Sequence, residues 1–179
     1  MTFGQQNTEA EGHALMDQAL DGGVTFYDTA EMYPVPPKPE TQGDSERVLG
    51  TWMKARGNRD KVIVATKATG PGADFAHIRG GTSAHTRANI EAAVDASLAR
   101  LQTDYIDLYQ LHWPDRPVNN FGRMLFDHSK AQAGTPAEET LAALADMVKA
   151  GKIRAVGLSN ETPYGVHAFL KAAEVHGLP

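Results

Sequence analysis

The chain has 179 residues, the size of a single domain, and its 41% hydrophobic content is ample for a buried core. Its net charge is −5 and its basic residues are scattered, without the Arg/Lys stripe that nucleic-acid binding needs; it has no cysteine for disulfides or thiolate ligation. No apolar run approaches the ~20 residues of a bilayer crossing, and the opening MTFGQQNTEA has neither a basic start nor an apolar middle, so a soluble, cytoplasmic chain is expected.

In chain order, residues 1–4 read as the tail of a strand. Thr8 and Glu11 form a capping box ahead of Leu15, Met16, Ala19 and Leu20, which predicts a helix closed by Gly22 and Gly23. Residues 24–27 predict a strand that ends at Asp28. After a proline-rich stretch over 34–39, Ser45 can cap a helix with Val48, Leu49, Trp52 and Met53 as its apolar stripe and Gly57 as its stop. Residues 61–66 predict a strand that delivers Lys67.

Residues 70–85 are rich in breakers and read as a loop, before Ile90, Ala93, Val94, Leu98 and Leu101 restore helical periodicity. Residues 105–111 predict a strand that delivers His112 and Trp113, followed by a loop over 114–134. Thr135, Pro136 and Glu138 then combine a capping box with proline at the first helical position, and Leu141, Leu144, Ala145 and Val148 form the helix's buried face up to Gly151. Residues 153–158 predict a strand leading to Ser159 and Asn160. Thr162 and Pro163 open a last helix carrying Val166, Phe169, Leu170 and Ala173.

Helices alternate with nearly all-apolar strands, the mark of an α/β protein whose parallel strands are covered on both faces. Asp28, Lys67, His112 and Ser159 recur at intervals of about forty to fifty residues, room for one βα unit each. Polar residues at successive strand ends favour a (β/α)8 barrel over a doubly wound sheet, and no G-x-G-x-x-G follows any strand.

Asp28, Tyr33, Lys67 and His112 are the candidate catalytic residues. Taken singly, each has an ordinary reading: a loop cap, loop packing, a solvated lysine, a satisfied core histidine. Together they suit one reaction. A tyrosine hydroxyl has a pKa of ~10, and a Lys ammonium about 4 Å away, worth ~4 kcal/mol at an effective dielectric near 20, could lower that by about three. Asp28 would hold Lys67 in place, and His112 would orient a carbonyl by hydrogen bonding. The arrangement suits protonation of a carbonyl oxygen as a nicotinamide cofactor delivers hydride to the carbon. No His/Asp/Glu grouping has zinc-site spacing and no G-x-S-x-G occurs, so neither a catalytic metal nor a hydrolase is expected.

The stretches FYDTAEMY (26–33), VIVATK (62–67), LQTDYIDLYQLHWPDRP (101–117) and GKIRAVGLSNET (151–162) resemble the aldo-keto reductases, particularly their bacterial Tas-like branch. The resemblance covers essentially the whole chain. It implies a TIM barrel that binds NADPH without a Rossmann motif and reduces aldehydes or ketones, with Tyr33 as proton donor beside Asp28, Lys67 and His112. It further implies that Ser159 and Asn160 bind the nicotinamide carboxamide, that Gln6 and Asp28 contact the cofactor, and that Trp113 walls the substrate pocket. Loops 34–44 and 114–134 should border that pocket.

A full barrel takes ~250 residues, so residues 1–179 are expected to form about five βα units of one barrel domain, lacking its last three. Open sheet edges would then invite self-association. An alternative drawn from the same resemblance is a catalytically inactive NADP(H)-binding or regulatory protein like the potassium-channel β subunits.

Overall fold

A computed structural model describes residues 1–72, 75–119, 122 and 124–179. The elements alternate as expected: α1 (Glu9–Asp21), β1 (Phe26–Asp28), α2 (Asp44–Arg56), β2 (Ile63–Ala68), α3 (Arg87–Leu101), β3 (Ile106–Leu111), α4 (Ala137–Lys149), β4 (Ile153–Leu158) and α5 (Pro163–His176). The four strands are parallel and lie side by side in chain order, with Asp28 beside Ala65, Lys67 beside Gln110, and Leu111 beside Leu158. A doubly wound sheet reverses direction from its first strand. This one steps one way throughout, as an incomplete (β/α)8 barrel does. No helix among the described residues is long and apolar enough to cross a membrane.

The predicted first strand is absent. The Thr2 carbonyl accepts from the N–H groups of Gln5, Gln6 and Asn7, which winds the segment into a turn, and Phe3 makes only an isolated bridge to Asn7. Four strands are therefore present among the described residues instead of about five. The capping box of α1 forms as expected, with Thr8 N–H donating to Glu11 Oε2 at 2.8 Å. Ser45 does not cap α2: its hydroxyl donates to the Phe3 carbonyl at 2.9 Å, and Gly43, at φ 82°, precedes the helix. The predicted box at α4 also fails, because Thr135 N–H donates to Asp115 Oδ2 and Pro136 occupies the cap. At α5, Thr162 accepts from Gly165 N–H with Pro163 at the first position, as predicted.

Consecutive helices pack against one another and against one face of the sheet. Met16, Val48, Leu49, Trp52, Val64, Ile90, Val94, Tyr109, Leu141 and Leu144 are all buried in this one core. α2 and α3 approach closely at Gly50, where a Cβ would stand 2.5 Å from the Arg100 carbonyl. The opposite sheet face, which in a barrel looks inward, leaves Phe26 and Ile63 exposed at 49% and 43% near the amino ends of the strands. Toward their carboxyl ends the same face carries Asp28, Lys67 and Gln110.

Candidate active site

Lys67 lies within β2, one residue before its end, and is 6% exposed. Its ammonium donates to Asp28 Oδ2 at 2.5 Å and to the Thr29 carbonyl at 2.8 Å. Asp28 closes β1; its other oxygen accepts from Gln110 Nε2 of β3 at 3.0 Å. Three adjacent strands thus build one ion pair, and nothing in the sequence pattern singled out Gln110.

Tyr33 follows β1 in a loop held by its own N–H to the Ala30 carbonyl and by Gly43 N–H to the Tyr33 carbonyl. Its ring packs edge-on against His112, centroids 5.5 Å apart, and the Lys67 ammonium lies 5.5 Å from the Tyr33 ring centroid. Both side chains share one rim, yet no hydrogen bond joins them among the described residues. His112 follows β3, with Trp113 against it at 4.8 Å; Trp113 Nε1 donates to the Pro71 carbonyl, and Phe75 packs on the indole at 5.1 Å. A Cβ at Gly70 would stand 2.5 Å from Trp113 Nε1, so this approach requires glycine.

Ser159 and Asn160 follow β4. Ser159 N–H continues the ladder to the Leu111 carbonyl, and Asn160, at φ 52°, donates its amide to the His112 carbonyl and to Ser159 Oγ. Asparagine tolerates that left-handed backbone better than most residues. Gln6 is exposed in the Thr2–Asn7 turn, and no hydrogen bond or ion pair links it to the four candidates among the described residues. Of the expected pocket borders, residues 120, 121 and 123 lie outside the described residues. Among the described residues, no group of three or more His, Cys, Asp or Glu is placed to hold a metal ion.

The electrostatics correct one expectation. The Tyr33 phenol is pushed above its ordinary value of 10, first by burial and then by the Asp28 carboxylate. Lys67, whose hydrogen bonds go to Asp28 and the Thr29 carbonyl, does not lower it. Tyr33 is therefore a phenol, not a phenolate, at neutral pH. His112 is driven down to about 3, by burial first and then by the Lys67 charge, and stands as neutral imidazole. Its buried Nδ1 has no partner among the described residues.

A stability prediction follows. An unfolded His112 takes up a proton below its ordinary 6.5, while the folded one resists until about 3, so the unfolded state binds more protons across that window. Stability should fall as pH drops from 6.5, by up to about 1.4 kcal/mol per pH unit from this group. Buried His85, whose pKa is also lowered, adds to the trend. Urea unfolding of His112→Gln at pH 7 and pH 4.5 should show a smaller acid loss than the parent; an equal loss would refute the assignment.

Parallel strands that step one way, with polar side chains gathered at their carboxyl ends, define a (β/α)-barrel protein. The chain belongs to the aldo/keto reductase family, whose family model matches residues 1–176. It is 48% identical over 179 residues to protein tas of Escherichia coli (strain K12), covering all of this chain and 52% of that protein. It is also 39% identical over 158 residues to aldo-keto reductase YhdN of Bacillus subtilis (strain 168), covering 88% of this chain and 39% of YhdN. The chain thus spans about half the length of tas and less of YhdN. Among solved structures, it is similar to an aldo/keto reductase from Klebsiella pneumoniae in complex with NADP and acetate, with TM-score 0.66 and 29% identity, covering 91% of this chain and 44% of that one.

Proposed function

We propose that this chain carries the catalytic residues of an NADPH-dependent reductase of aldehydes or ketones. The observation that supports it best is the convergence of Asp28, Tyr33, Lys67 and His112 at the carboxyl ends of β1, β2 and β3. Bound NADPH supplies the hydride. Tyr33 then gives its phenolic proton to the carbonyl oxygen, and the Lys67 ammonium, anchored by Asp28 and Thr29, offsets the charge left on the phenolate. Neutral His112 orients the same oxygen through an imidazole N–H, and Trp113 with Phe75 forms an apolar wall.

The cofactor's carboxamide end fits the residues present: Ser159 offers a hydroxyl, and Asn160 keeps Oδ1 free of hydrogen bonds among the described residues. Gln6 is a further proposed contact. Two arginines near the strand ends, Arg79 and Arg116, are already engaged by Glu31 and Glu161, so the phosphates call on groups other than these.

One observation favours a second reading, a regulatory NADP(H)-binding protein without turnover: Lys67 is committed to Asp28 and Thr29 and makes no hydrogen bond to Tyr33. Such bonds often tighten only when substrate binds. Fluorescence titration with NADPH, followed by turnover assays on an aldehyde panel, decides between the two. Binding with turnover supports the reductase, binding without turnover the regulatory reading, and failure to bind refutes both.

A further inference from the structure

We propose that Glu31 and Arg79 are a positioning pair that sets Tyr33 against Lys67 and holds the wall segment 75–79 in place. This rests on the reading of Tyr33 as proton donor, but the two residues need touch neither carbonyl nor cofactor.

Glu31 stands two residues before Tyr33, and its side chain is 2% exposed. One carboxylate oxygen accepts from Thr69 N–H at 2.5 Å and from Arg79 Nη2 at 2.9 Å, while the other accepts from Arg79 Nη1 at 2.6 Å. Its main chain is tied as well: Glu31 N–H donates to the Lys67 carbonyl at 3.2 Å, and the Glu31 carbonyl accepts from Gln42 Nε2 at 2.6 Å. One residue therefore joins the loop that carries Tyr33 to the strand that carries Lys67.

The forked geometry gives orientation as well as attraction. A buried ion pair adds little net stability over an apolar pair of the same shape, so its use here is to fix one register. Arg79 adopts φ 47°, an unfavourable backbone for a non-glycine residue, and its guanidinium spans Glu31 and the Thr69 carbonyl. Ile78, next to it, packs with Met32, Tyr33 and Trp113 in a second apolar cluster, with Phe75 against its edge. Loss of the pair frees that cluster and the phenol together.

The test uses the full chain with Arg79→Met alone and with Glu31→Gln/Arg79→Met. The single variant strands a buried carboxylate and should lose thermal stability; the double variant keeps an acceptor for Thr69 and should recover it. If the pair positions Tyr33, kcat in the double variant stays lowered by about tenfold to a hundredfold, with the KM for NADPH little changed. The Tyr33 phenolate, read by ultraviolet absorbance against a Tyr33→Phe reference, should also titrate closer to the ordinary 10 in the double variant than in the parent. A double variant with parental kcat and a parental phenol titration would show the pair to be structural only and overturn the proposal. The titration needs no turnover, so it decides the point even where the parent chain reduces nothing, an outcome that would count against the reductase reading alone.

Discussion

On the proposed reductase reading, Tyr33→Phe should leave NADPH binding unchanged and lower the rate of carbonyl reduction by about a hundredfold to ten-thousandfold, the usual contribution of a positioned proton donor. Phenylalanine keeps the ring that packs against His112 and the Met32, Ile78 and Trp113 cluster, so only the hydroxyl is lost. The pH dependence of the parent separates this role from a packing effect. Burial and Asp28 hold the phenol above 10, so the acid form persists through neutral pH and reduction should decline only above about pH 10. On the same proposed mechanism, alcohol oxidation uses the phenolate as base and should rise over the same range. Steady-state rates in both directions, with NADPH fluorescence as the binding control, check this. A Phe variant retaining parental kcat would remove Tyr33 from the chemistry.

The sequence made the alternation of elements legible because each helix announces itself by apolar periodicity and each strand by a short apolar run. Val48, Leu49, Trp52 and Met53 are all buried, and residues 153–158 form β4 as read. Misreadings arose where a tertiary partner took a local group. Ser45 spends its hydroxyl on Phe3, far away in sequence, and Thr135 gives its N–H to Asp115, so two plausible caps were lost to long-range bonds. The candidate residues could be listed from strand ends, but not their electrostatics. The Tyr33 phenol responds first to burial, which no spacing reveals, and then to the Asp28 carboxylate, which raises it further. Gln110 and the Glu31–Arg79 pair left no sequence signal of their own: the first shares β3 with a second polar residue, Asp107, and nothing in the pattern sets it apart, and the second joins positions 48 residues apart.

Behind the candidate site, Arg100→Met should destabilise the chain by about 3–5 kcal/mol, and Glu46→Met added to it should restore most of the loss. Glu46 of α2 is 0% exposed; one oxygen accepts from the Thr66 hydroxyl of β2 and the other from Arg100 Nε of α3, both at 2.5 Å. Methionine keeps the apolar stem that lies along Gly43 while removing the charge, so the deficit measures the stranded carboxylate. Urea unfolding of the parent, single and double variants at pH 7 tests this, and a single variant no less stable than the double would refute it.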